Sequence, residues 1–142
     1  MELVRAKPHD FTNDELRTQA GGQEGGDVIV FRVLSGGSEV GLVILSLPCE
    51  MEEAELEKLY VPTSLRQRGV GGRALECAED YCRQHQFRVL RLWANPLDEE
   101  TDQERLIAWY RRFGYVDAED LGFVLRAHRF RSEQLIPHVD AP

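Results

Sequence analysis

From residue 59 to residue 75 the chain reads Leu59-Tyr60-Val61-Pro62-Thr63-Ser64-Leu65-Arg66-Gln67-Arg68-Gly69-Val70-Gly71-Gly72-Arg73-Ala74-Leu75. The apolar front reads as a strand end, and Pro62 stops the strand because it cannot donate to a ladder. The residues after Gly69 read as the start of a helix. A helix start carries backbone N–H groups without internal partners and a partial positive charge. Gly69, Gly71 and Gly72 let a ligand come close to the backbone, and Arg66 and Arg68 add charge. The chemistry this suits is the holding of a phosphate. Two kinds of phosphate loop do not match. The Gly-Lys-Ser/Thr ending of a nucleotide-hydrolysing loop is missing. So is the three-glycine dinucleotide fingerprint directly after the strand.

The hexad Arg66-Gln67-Arg68-Gly69-Val70-Gly71 resembles the Arg/Gln-x-x-Gly-x-Gly/Ala signature of the GNAT superfamily of N-acetyltransferases, and the Leu-Tyr-Val-Pro before it resembles the same family. About 40 residues on, Ala108-Trp109-Tyr110-Arg111-Arg112-Phe113-Gly114-Tyr115 resembles the family's Tyr-x-x-x-Gly-Phe/Tyr. The resemblance implies acetyl-CoA as co-substrate and an amine as acceptor, with no metal. It assigns the CoA pyrophosphate to the loop amides of Arg66, Gln67, Arg68, Gly69, Val70, Gly71 and Gly72. It also places Leu59, Tyr60 and Val61 at the cofactor, with a backbone N–H near Tyr60 or Val61 polarising the thioester carbonyl as an oxyanion hole does; Asn95, at the end of the next strand, is a further cofactor candidate by its position. The sequence departs from the family at Gln103 and Leu106, where many members carry Asn and Ala.

Transfer to an amine makes a further demand. An alkylammonium with a pKa of about 10.4 is unreactive until it loses a proton. A carboxylate, directly or through water, can take that proton. Glu55 and Glu57 precede the strand end and are the candidates; Glu55 stands eleven residues before Arg66, where some family members carry a base. By the same resemblance Tyr110 protonates the departing sulfur. Each has a plain structural alternative: solvated carboxylates on a sheet face, and an aromatic on a core stripe.

These groups need a scaffold. Residues 2–7 read as a strand and 12–20 as a short helix capped by Thr12 or Asn13. Val28–Leu34 and Val40–Leu47 form a hairpin around Ser35-Gly36-Gly37-Ser38. A strand over 54–61 alternates, with Leu56, Lys58 and Tyr60 on one face and Glu55, Glu57, Leu59 and Val61 on the other. A helix over 69–86 buries Val70, Ala74, Leu75, Ala78, Tyr81 and Cys82. A strand over 87–94 and a helix over 103–113 follow, the helix packing Leu106, Tyr110 and Phe113 and ending at Gly114. Tyr115–Val116 and Leu121–Arg129 are the last strands. The order β-α-β-β-β-α-β-α-β-β is an α/β fold: one mixed sheet with helices on both faces. Residues 1–131 make the domain and 132–142 a loose tail.

The chain has 142 residues, enough to bury a core without cross-links. Cys49, Cys77 and Cys82 give no disulfide framework, and neither they nor the four histidines show metal-ligand spacing. No apolar run reaches the roughly 20 residues that span a bilayer, and the charged start from Met1 to Lys7 is no signal peptide; cytoplasm is the expected location. The net charge of −8 argues against nucleic acid and favours a cationic acceptor. So does the acidic loop at 98–102, if it is not merely solvated. Family resemblance allows a homodimer through the last strands. Three other readings compete: a non-catalytic acyl-CoA sensor that keeps the loop without using Tyr110, a transferase of bulkier acyl groups, and an RNA-directed role for Arg126, Arg129 and Arg131.

Overall fold

The computed structural model describes residues 1–22, 25–49, 52–117 and 129–132. Seven strands form one sheet: β1 (Glu2–Arg5), β2 (Val28–Ser35), β3 (Ser38–Ser46), β4 (Glu53–Tyr60), β5 (Val89–Trp93), β6 (Tyr115–Asp117) and β7 (Arg129–Ser132). Three helices accompany them: α1 (Asp14–Ala20), α2 (Val70–Gln84) and α3 (Gln103–Arg112). The strands lie in the order β1-β2-β3-β4-β5-β7-β6. Only β4 and β5 are parallel, because α2 connects them; every other neighbouring pair is antiparallel.

The apolar residues divide between two sides of the sheet. One cluster joins Leu56 and Leu90 to Ala74, Leu75, Ala78 and Cys82 of α2 and to Ile107 and Tyr110 of α3. The other joins Leu42, Ile44 and Tyr60 to Leu16 and Ala20 of α1. Helices therefore cover both faces, as the patterning requires. Asn13 caps α1, its side chain accepting from the Leu16 N–H at 3.0 Å. On α2 the buried stripe is as expected, except that Tyr81 is half-buried. On α3 the buried residues are Ile107 and Tyr110, whereas Phe113 is 39% exposed. Of the strand expected over 121–129, only Arg129 falls among the described residues. Among those residues no helix is long and apolar enough to cross a membrane. The three cysteines are free.

The expected alternation of β4 fails at one point. Leu56 pairs with Leu45 of β3, yet Lys58 pairs with the adjacent Ile44, so Glu57 is the extra residue of a bulge. A bulge shifts the period by one and bends the strand. Leu56 accordingly packs in the α2 cluster and Tyr60 in the α1 cluster, although both were expected on one face. Leu59 takes up the α2 side again.

Candidate active site

The bulge sits where β4 and β5 part. Their parallel register ends at Leu56 and Leu92, while β4 stays paired to β3 as far as Tyr60. The edge of β4 that faces β5 is left without a ladder over its last residues. A cavity of about 710 Å³ opens there, walled by residues 56–61 of β4 and the loop after it, by Trp93 at the end of β5 and Asn95 beyond it, and by Leu106, Trp109 and Tyr110 of α3.

The start of α2 forms the next wall, through Gln67, Gly69, Gly71 and Gly72. Gln67 (φ 64°) and Gly69 (φ 78°) are both left-handed, which turns the chain sharply into the helix. Gly69 is the N-cap and offers no side chain to the first amides; the first helical bond is Arg73 N–H to Gly69 O at 3.2 Å. The amides before Arg73 thus lack a capping acceptor, and glycine backbone beside them faces the cavity. Val70 is turned away, buried with the α2 stripe, and anchors the helix start. The glycines also have a packing reason. A Cβ on Gly71 would sit 3.2 Å from Trp109, and one on Gly72 would sit 2.8 Å from Phe113. Glycine here brings α3 close enough for its aromatic rings to close the wall.

Arg66 is held on several sides. Its Nε donates to Val61 O at 2.9 Å, its guanidinium pairs with Asp98 at 2.6 Å, and it lies 5.0 Å over the Tyr60 ring. Asp98 in turn accepts from the backbone N–H groups of Glu100 and Thr101 and from the Thr101 hydroxyl. One member of the acidic loop, expected to face outward toward a cationic acceptor, is instead spent on tying the loop after β5 to the loop before α2. Glu15 of α1 makes a second tie. It accepts from the Tyr60 hydroxyl at 3.0 Å and from the Thr63 backbone and hydroxyl at 3.1 Å each. The Thr63 N–H, above all, keeps the Glu15 carboxyl below the usual carboxylate range. Burial, then the Glu15 bond, pushes the Tyr60 phenol up to about 12. Tyr60 is thereby fixed as a neutral donor.

The Arg66 hydrogen bond is the main reason the Asp98 carboxyl titrates below its ordinary value. A carboxyl depressed in the fold stabilises it above the unfolded pKa of about 3.9, and that gain disappears as pH falls through the lower folded value. Asp98→Asn should therefore cost about 1 kcal/mol at pH 7, below the roughly 1.5–3 kcal/mol of a charge-assisted hydrogen bond, since both partners are partly solvated. In urea titrations the deficit should shrink toward zero as the buffer is taken from pH 5 to below pH 3. A deficit constant across that range would show that the ion pair contributes nothing.

Tyr110 is 5% exposed and lines the cavity from α3, its ring edge-on to Trp109 at 4.9 Å and to Tyr115 at 5.7 Å. Burial alone raises its phenol, and its hydroxyl makes no hydrogen bond to another described residue. The two glutamates separate: Glu57, in the bulge, lines the cavity, and Glu55, paired with Ser46 of β3 and Arg91 of β5, does not. Arg68 is exposed off the wall. The wall also includes Lys58 and Arg105, which motif reading passed over because neither belongs to the signature. Glu15 carries no such motif either, since its partners Tyr60 and Thr63 lie 45 and 48 positions away. Among the described residues no three His, Cys, Asp or Glu side chains form a group that could hold a metal.

The family model for the acetyltransferase (GNAT) family matches residues 2–115. The chain belongs to the GNAT acetyltransferase family. No curated protein sequence matches it. Solved GNAT structures share the fold at low identity. The ribosomal-protein-S18-alanine N-acetyltransferase of Escherichia coli superposes with a TM-score of 0.67 at 15% identity, over 98% of this chain and 96% of that one. Tetrahymena GCN5 gives 0.62 at 14%, over 80% and 71%. The PaiA N-acetyltransferase of Thermoplasma acidophilum, solved in complex with coenzyme A, gives 0.58 at 16% identity. That match covers 75% of this chain and 60% of PaiA, so the chain spans less than two thirds of it.

Proposed function

We propose that this GNAT protein transfers the acetyl group of acetyl-CoA to a primary amine by direct attack, with both substrates bound together. One observation carries the reading: the uncapped start of α2, the unladdered edge of β4 and Tyr110 all open on one cavity. The amides of Gly69 to Gly72 would take the pyrophosphate. A β4 N–H near Tyr60 or Val61 would hold the oxygen as the carbonyl carbon becomes tetrahedral. Glu57, through water, would accept the ammonium proton. The amine nitrogen then forms its bond to the carbonyl carbon, the carbon–sulfur bond breaks, Tyr110 gives its proton to the sulfur, and the nitrogen's second proton leaves through water to restore the phenol. Juxtaposition of the two reactants supplies on the order of 7–11 kcal/mol of the barrier reduction, more than any one of these side chains.

Thermal melting tests the binding half. Acetyl-CoA at about 100 times its Kd adds roughly 2.7 kcal/mol, and the midpoint should rise by several degrees where NADH and ATP leave it unmoved. An unmoved midpoint with acetyl-CoA rejects the reading. Mutation tests the base. Glu57→Gln should lower kcat/KM about tenfold, below the usual yield of a general base because water can still carry the proton. Glu55→Gln, away from the cavity wall, should change it less than twofold. The reverse ranking would move the base to Glu55.

A further inference from the structure

Two cations of the cavity wall, Lys58 and Arg105, lack an ion pair with any described residue, and of the two Lys58 is half-buried whereas Arg105 is exposed. Arg66 is neutralised by Asp98. Lys58 lines the same cavity, is half-buried, and has no ion pair with any described residue. Its Nζ donates to the Gln19 backbone carbonyl at 2.8 Å and to the Gln19 side-chain oxygen at 3.4 Å. Those are neutral acceptors, and an ammonium has three protons to donate. A partly desolvated cation with neutral partners only is electrostatically incomplete, and an anion entering the cavity would complete it. Burial lowers the Lys58 pKa, in keeping with that unmatched charge.

Its side of the strand matters too. The bulge at Glu57 brings Lys58 to the α1 side, against the last turn of α1. Gln19 also reaches Leu97 of the loop after β5 with a 3.4 Å bond. The phosphate-holding amides belong to α2, which covers the other face. A cofactor held at α2 therefore leaves Lys58 beside the approach of the second substrate. The backbone that would polarise the thioester, at Tyr60 and Val61, is two to three residues along the same strand. One amine-bearing molecule of modest size can span that interval.

We infer that the acceptor is an amine that also carries a carboxylate, and that Lys58 binds this carboxylate and sets acceptor specificity. The inference rests on the acetyl-transfer reading above. It reverses the expectation drawn from net charge, because the local cation, not the distant surface charge, meets the substrate.

The test uses matched pairs of amines, each amino acid set against its decarboxylated, carboxylate-free partner (lysine and cadaverine, phenylalanine and phenethylamine, tyrosine and tyramine), with CoA release as readout. Wild-type protein should favour the member with the α-carboxylate in at least one pair by about tenfold in kcat/KM. Lys58→Gln should erase that preference, chiefly through KM, and Lys58→Arg should keep most of it. The melting shift with acetyl-CoA should be the same in all three proteins, which separates acceptor binding from damage to α1 or to the cofactor site. Preference for the decarboxylated member in every pair, no turnover of any carboxylate-bearing member, or a preference that survives in Lys58→Gln would overturn the inference. Loss of the acetyl-CoA shift in the wild type would instead overturn the acetyl-transfer reading itself.

Discussion

Gly69→Asp is expected to weaken acetyl-CoA binding about a hundredfold while leaving the protein folded. The position is the N-cap of α2, with φ at 78° and nothing within 4 Å of where a Cβ would stand. Space is therefore no obstacle. The positive φ costs on the order of 1 kcal/mol for an L residue, and Asp and Asn tolerate it better than most. What changes is charge. Two unit charges 4 Å apart interact by about 4 kcal/mol at the effective dielectric of a protein surface. Screening by salt leaves about 2.7 kcal/mol, which is the hundredfold. At a ligand concentration that stabilises the wild type by about 2.7 kcal/mol, the variant would gain only about 0.4. Gly69→Asn is the control: it has the same shape and strain without the charge, and should keep most of the melting shift. Equal shifts for the Asp variant and the wild type would mean that no anion sits on the α2 amides.

The residues behind this prediction were legible in the sequence because the signal is local. Arg66 to Gly72 announce a turn, a helix start and a place for an anion within seven positions, and short-range backbone physics fixes all three. The order of strands and helices was legible for a similar reason: apolar period and turn residues are properties of short windows. What escaped depended on register. Counting by twos along β4 put Leu56, Lys58 and Tyr60 together, and one extra residue at Glu57 separates them. No sequence window marks that bulge; it follows from how β4 meets β3. The same displacement brings Lys58 to α1 and Glu57 to the cavity wall.

Long-range ties were equally hidden. Nothing around Glu15 shows that it will hold Tyr60 and Thr63, and nothing in the acidic loop shows that Asp98 will be taken by Arg66. Local composition made that loop look outward-facing, whereas the nearest unpaired guanidinium decided its direction. The placement of Tyr60, Thr63 and Arg66 therefore depends on pairings that become visible only once the sheet is assembled.

Tyr110→Phe is expected to lower kcat about a hundredfold without loss of stability. In water a thiolate with a pKa of about 8.5 would leave without help. In this cavity the sulfur would depart among Leu59, Leu106 and Trp109, where an unsolvated anion is costly. A neutral donor in the wall removes that cost, and Tyr110 is one, because burial raises its phenol and keeps the proton on oxygen at any working pH. The usual yield of a positioned acid, 10²–10⁴-fold, sets the scale. The KM for acetyl-CoA should stay nearly constant, since the hydroxyl serves the departing sulfur and not the pyrophosphate. Stability should hold, because the phenylalanine keeps the ring contacts with Trp109 and Tyr115 and the hydroxyl it removes bonds to no other described residue. Between pH 6 and 9 the wild-type rate should show no titration belonging to Tyr110. If the variant melts like the wild type and turns over as fast, Tyr110 is a core aromatic only, and the thiolate must find its proton in solvent.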